Sequence, residues 1–377
     1  MQITKEITVP VKHQLDSLEE ILEHIEECSV NEINLDECQL NIGFNLNTIL
    51  QELKKRHKFS DKISLIEKTN ESGFKVCVCL LKIPFRSEAT VYKKGAYFES
   101  IIFYEYAQFV GSVFESDYSF KKSFFESSVN FSMAVFKIKT FSRCDQFFFR
   151  TTFKEEVSFM DTIFYGLAFF GSATFTKDVD IRRAEFGSID LADTEMKENT
   201  KLVHYETAKF HKVNNRITGL YLKQYAQKMN DSVSMLLFKE LEMDAYRKYL
   251  FSFESLMDNS GFNKFRLASD IFILTLNKLS NSHGTSFFRG VLFTMAVWGV
   301  FFSWFVMVRD GVGNAFIWTN GEYLNEAVNY LWLFNGLKGL TTGSTVLWSC
   351  IIPFLLGKIF IAYGIYQTIS AFRKYLR

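Results

Sequence analysis

Phenylalanine recurs from Phe98 to Phe186 on a beat that alternates five residues and six. One ladder steps by eleven: Phe98, Phe109, Phe120, Phe131, then Phe153, Phe164, Phe175 and Phe186. A second runs between its rungs: Phe103, Phe114, Phe125, Phe136 and Phe147, then, shifted by one, Phe159, Phe170 and Ile181. A fixed internal period of this kind constrains the fold more than any other property of a chain.

An eleven-residue repeat suits a right-handed coiled coil, but the spacing argues against one. Residues five apart on a helix differ by roughly 130–140°, so the two ladders do not make one stripe. The segment is rich in Phe, Ser, Thr and Val and poor in Leu and Ala, which favours strands. A straight strand also fails, because an odd step of five sends successive Phe side chains to opposite faces. All of them face one interior only if the backbone turns a corner every five or six residues. That is a β-solenoid, whose stacked coils bury a continuous core.

Residues two before each Phe are often small or β-branched: Ala96, Ala107, Ser112, Ser123, Val129, Ala134, Thr151, Thr162, Ala168, Ala173 and Ala184. A narrow coil needs one large and one small inward residue per side. With "GLAFFGSATFTKDVDIRRAEF" as its nearest stretch, the chain resembles the pentapeptide-repeat family in an eleven-residue variant, F-x-x-A-x-F-x-x-x-A-x. The resemblance implies a right-handed quadrilateral β-helix over residues 85–200. At about 22 residues per coil, residues 98–196 supply four to five coils. Two flaws interrupt the pattern: Ser142 stands where a rung belongs, beside Phe141, and the second ladder slips between Phe147 and Phe159. Residues 141–158 therefore read as a bulged corner.

At 377 residues the chain has room for two or three units. Its formal net charge of +1 points to no polyanion partner. Some pentapeptide-repeat proteins mimic DNA with a strongly acidic face. The repeat region here intersperses Lys93, Lys94, Lys121, Lys122, Arg182 and Arg183 among its acids, so no nucleic-acid role is expected. The six cysteines lack metal-ligand spacing, and Cys77 and Cys79 alternate like strand positions. A reducing compartment is expected, with no metal and no cofactor. Acids by residue 16 and no apolar run before them argue against a signal peptide.

The membrane enters in the last ninety residues. Residues 290–308, "GVLFTMAVWGVFFSWFVMV", are uncharged, and residues 345–371 are apolar apart from Lys358. Each run matches the about 20 helical residues that cross a bilayer. Arg266, Lys278 and Arg289 precede the first run, and Arg373, Lys374 and Arg377 follow the second. The positive-inside rule then predicts a multi-pass protein of the inner membrane with both termini in the cytoplasm. Lys358 is the one charge within these runs, either a functional group or a side chain that snorkels or packs on a helix partner.

Residues 1–84 read as a small α/β module. Ser17-x-x-Glu20 is a capping box opening "SLEEILEHIEEC", a second helix is predicted over 47–55, and "FKVCVCLLKI" alternates like a strand. Residues 201–258 predict a helical hairpin restarting at Asn230-Asp231-Ser232, capping the solenoid. Residues 259–289 predict an interfacial helix and linker, and 290–377 the two-span hairpin. "FKELEMDAYRKYL", "NKLSNSHGTSFFRGVLF" and "IYQTISAFRKY" resemble bacterial membrane-anchored pentapeptide-repeat proteins with the same tail.

Two functions compete. The first is a membrane-anchored cytoplasmic scaffold that presents solenoid faces to a protein partner. The second is an oligomeric two-span ion channel or pore gated by the solenoid. In the second, "NEAVNYLWLFNGLKGLTTGSTVLW" supplies a short pore helix and a turn in which Thr341, Thr342, Gly343 and Ser344 line the pore with Lys358 nearby. The Gly-Tyr-Gly of potassium filters is missing, and Lys338 and Lys358 oppose cations. An enzyme is not expected, because no nucleophile–base pair or phosphate loop is present, and His24, His57, His204 and His211 are scattered.

Overall fold

The computed structural model describes residues 11–28, 31–56, 59–69, 75–138, 147–198, 200–252, 261–310, 321–334 and 348–372. The chain divides into two compact units, residues 1–221 and 222–377.

The first unit is a stack of short, regularly spaced parallel strands, a β-helix-like architecture. Successive strands Phe85–Arg86, Val91–Tyr92, Ala96–Tyr97 and Ile101–Phe103 fall in four different sheets, and the next four strands repeat the cycle. Val113 pairs with Val135 and Ala107 with Val129, one coil of 22 residues apart. Corners recur on the same beat. Ser100, Gly111, Lys122 and Met133, then Arg150, Asp161, Ser172 and Arg183, all take left-handed backbone conformations.

Parallel pairing sets equivalent side chains one strand spacing apart, about 4.8 Å, so the Phe rings stack in columns. Phe114 lies 4.7 Å from Phe136, which lies 4.5 Å from Phe164, with the ring planes within 7° of parallel. Phe103, Phe125, Phe153 and Phe175 form a second column, and Phe109, Phe131 and Phe159 a third. The eleven-step ladder crosses between columns. Phe98 to Phe109 and Phe109 to Phe120 meet edge to face at 88° and 90°, which matches the preferred geometry of aromatic quadrupoles. None of the fifteen ladder phenylalanines is more than 4 % exposed.

The irregular corner is an insertion of six residues. Strand partners step from 22 to 28 across it, as in Val129 with Val157 and Val135 with Ile163. Residues 139–146, with Phe141, Ser142 and Cys144, lie outside the described residues. Phe148, which the ladder does not include, stands in the column between Phe120 and Phe170, at 5.1 and 4.9 Å. Phe147 lies instead on Tyr118 at 4.2 Å.

The N-terminal residues do not stand apart as a module. Ile33 pairs with Phe85, Gln39 with Val91, Phe44 with Ala96 and Cys79 with Ile101, so they complete a first coil in the same four sheets. Helix α1 (Leu18–Cys28) precedes that coil. Helix α2 (Leu46–Lys55) and an antiparallel strand Ile63–Thr69 are inserted at its third corner. Both helices turn one apolar stripe inward (Ile21, Leu22 and Ile25; Ile49, Leu50 and Leu53), as the exposed end of a stack requires. The Ser17 hydroxyl accepts from the Glu20 N–H, while the Glu20 carboxylate accepts from the Asp16 N–H, one residue before the expected partner. At the other end the strands continue past residue 200 to Lys209–Phe210. The Leu191 N–H there donates to Thr218 of helix α3 (Arg216–Lys228).

The second unit is helical. Helix α4 (Ser232–Leu250) is capped by Asp231, which accepts from the N–H groups of Val233 and Ser234. Helices α5 (Gly261–Asn281), α6 (Phe287–Asp310), α7 (Gly321–Leu331) and α8 (Trp348–Phe372) follow. Helices α6 and α8 are long and apolar enough to cross a membrane.

Candidate functional site

Two features of the sequence, the uncharged runs and the solitary Lys358, meet in the second unit. Helices α6 and α8 pack antiparallel, with Phe287 against Phe372, Phe293 against Tyr363 and Phe301 against Phe360. Each carries a Gly-x-x-x-Thr segment, Gly290 to Thr294 and Gly364 to Thr368. Each Thr hydroxyl donates to the carbonyl of its own glycine, at 2.8 and 2.9 Å. Each glycine also lies against the opposite helix's threonine. Small residues let backbones approach where no water drives association.

Helix α7 packs in the angle between these two. Its start is held at the end of α6, where Arg309 pairs with Glu326 at 2.8 Å and the Tyr323 hydroxyl donates to Asp310. Trp298 then donates its indole N–H to the Ala327 carbonyl at 2.8 Å. Ala327 and Tyr330 are fully buried, in a cluster with Phe302, Phe305 and Phe354. The Tyr330 hydroxyl donates to the Pro353 carbonyl at 2.7 Å and occupies the space that Gly357 leaves by lacking a Cβ.

Lys358 closes the end of α7. Its ammonium donates to the carbonyls of Tyr330 at 2.8 Å and Trp332 at 2.5 Å, and it lies over the rings of Tyr330 and Phe354 at 5.5 and 5.3 Å. A helix leaves its last carbonyls unpaired and partly negative, and a lysine from a neighbouring helix is a fitting donor. Leu331 to Phe334 line a cavity of about 420 Å³ with Val291, Thr294, Met295, Ile365, Thr368 and Ile369. The pore-lining candidates Thr341, Thr342, Gly343 and Ser344 lie outside the described residues.

Three of the singled-out sequence segments converge on one polar junction. The Lys278 ammonium donates to both oxygens of Asp244, at 2.7 and 2.8 Å, and His283 lies 3.6 Å from the same carboxylate. Burial alone drives the Asp244 carboxyl upward, but the nearby His283 ring and the two hydrogen bonds from Lys278 outweigh it and hold the group at about 2. Beside it the Asn281 amide donates to the Gln367 side chain and main-chain carbonyl, and the Asn277 oxygen accepts from Tyr363 and Gln367. Sequence reasoning did not find this network, because its members lie on α4, α5, the turn Ser282–Gly284 and α8.

A second set it missed lies in the first unit. The His24 ring stands 3.3 Å from the Cys38 sulfur and 3.5 Å from that of Cys28. Burial pushes the Cys38 thiol up to about 12, so the neutral, unreactive form persists. Among the described residues no group of three or more His, Cys, Asp or Glu has the geometry to hold a metal ion.

No family model, curated protein or solved structure matches the chain.

Proposed function

We propose that this chain is a subunit of an oligomeric membrane pore. In this reading α6 and α8 span the bilayer, both termini are cytoplasmic, and α7 re-enters between the spans as a pore helix. The observation that carries it is the course of α7. The segment begins beside Asp310 and by Leu331–Phe334 lines the same cavity as Thr294, which lies about 24 Å from Asp310 along α6 at 1.5 Å per residue. Non-helical backbone at that depth is tolerated only inside protein or beside a water-filled cavity. Trp332 and Phe334 are 64 % and 89 % exposed on a single chain, which favours burial against neighbouring subunits. Residues 341–344, which follow this segment in the chain, are the pore-lining candidates of this reading. Lys358 is engaged by the α7 carbonyls, so its charge is partly offset where cations would pass. The first unit is then a cytoplasmic, right-handed quadrilateral β-helix of the pentapeptide-repeat kind, acting as sensor or gate.

A second reading, a membrane-anchored scaffold, has its own support. Gln108, Asn130, Ser158 and Asp180 recur at equivalent positions along one sheet and line a groove of about 440 Å³ with Glu156 and Asp178. This polar, slightly acidic face fits a protein partner.

Conductance of the full-length protein in planar bilayers separates the two. Discrete currents that disappear on deleting residues 341–344 support the pore. A silent bilayer with verified insertion removes it and leaves the scaffold, to be pursued by crosslinking from Asn130 and Asp180.

A further inference from the structure

We infer that the junction of α4, α5 and α6 is a binding site for an anionic phospholipid. The site rests on the membrane-spanning part of the reading above and not on conduction. Arg247 of α4, Lys278 of α5 and Arg289 of α6 line one cavity of about 700 Å³, and Leu292, Phe293 and Ala296 continue its wall along α6. The charged groups sit at the end of an apolar helix, and the apolar wall begins one turn further in. That order of chemistry matches a phosphodiester headgroup followed by an acyl chain.

The charge balance leaves room for an anion. Asp244 engages Lys278 closely, but its Oδ1 is 4.0 Å from the Arg247 Nε, and three cations against one carboxylate leave a local charge of +2. Two donors are also unspent. The Arg247 Nε and the Thr275 Oγ1 are buried without a hydrogen-bond partner, and both residues line the cavity. Buried donors without partners are uncommon, and a phosphate oxygen would satisfy them. Leu292 is half exposed at 50 % and Leu279 is 65 % exposed, which leaves an apolar track open from the side. Basic pockets between helices on the cytoplasmic side of a membrane have the chemistry that recognises anionic headgroups. A free phosphate shares the headgroup chemistry but has no use for the apolar track, so the lipid is the occupant we assign.

The test uses full-length protein in nanodiscs of phosphatidylcholine alone or with phosphatidylglycerol, after flotation has verified insertion. Phosphatidylglycerol is expected to raise the melting temperature and to stay bound in native mass spectrometry. Arg247→Gln and Arg289→Gln are each expected to weaken that retention about fivefold, the weight of one basic side chain at an anionic surface. Arg247→Lys should keep most of it. The wild-type comparison of the two lipids needs no variant to fold. Equal melting in both lipids overturns the site, as does undiminished retention by both glutamine variants. Protection by soluble glycerol 3-phosphate equal to that by the lipid also overturns it, because the apolar track is then idle. Failure to float with vesicles removes the membrane reading itself, a result distinct from inserted protein that ignores phosphatidylglycerol.

Discussion

Gly290 of α6 lies so close to Thr368 of α8 that a Cβ on the glycine would stand 2.7 Å from the threonine Oγ1 and 3.0 Å from its Cα. Thr294 and Gly364 repeat the arrangement with the helices exchanged. Gly290→Ile and Gly364→Ile should each destabilise the helical unit by about 1–3 kcal/mol, the usual cost of overpacking. Thermal melting in detergent followed by tryptophan fluorescence checks this. Unchanged melting for both would mean the helices do not meet along this line.

The hydroxyls of Thr151 and Thr162, read from sequence as small filler, each donate at 2.7 Å to a carbonyl of the preceding coil, those of Phe120 and Phe131. Thr162→Val keeps the shape and removes the bond, for a cost of about 0.5–1.5 kcal/mol, because the Phe131 carbonyl still accepts from the Ala134 N–H, whereas Thr162→Ser retains the bond. Phe131→Ala should cost more, about 3–5 kcal/mol, because Phe131 is fully buried between Phe109 and Phe159. Denaturant titration of the first unit's β signal ranks the three, and valine melting like wild type would rule out the bond.

Lys358→Met removes the donor to the Tyr330 and Trp332 carbonyls. The end of α7 should loosen, with faster hydrogen exchange at residues 328–332 and a lower melting temperature. Arg in place of lysine should restore part of both. Equal exchange in wild type and the methionine variant would show that Lys358 does not hold the helix.

Asp244 gives the helical unit a pH dependence with a definite sign. Its folded pKa of about 2 lies below the ordinary 3.8, so its stabilisation is complete above the unfolded value and fades as pH falls from about 4 towards 2. The amount is about 2 kcal/mol by linkage. Melting temperature measured from pH 6 to pH 2.5 should drop at the acid end, and Asp244→Asn should flatten that drop while lowering stability at neutral pH. An identical acid profile in the variant would assign the loss to other groups.

The stacked coil was legible because every coil places Phe in the same environment, so the same residue returns at the same step whatever its neighbours do. The six-residue insertion was visible as a slip, but not that Phe148 would replace Phe147, since both are Phe and only the pairing partners distinguish them. The first coil was hidden because residues 33–81 lack the beat and carry an inserted helix and hairpin; their strands are recognisable only beside Phe85, Val91, Ala96 and Ile101.

The amino-acid order by itself determined the repeat, the two long apolar helices and the solitary Lys358, because local period and hydropathy suffice for these. Only the tertiary structure decided what Lys358 touches and where Tyr330 is buried. It also decided how Asp244, Lys278 and His283 come together. Those contacts join residues from 28 to 39 positions apart on separate elements, and a pattern that repeats along the chain carries no information about which distant groups will satisfy one another's charge and hydrogen bonds.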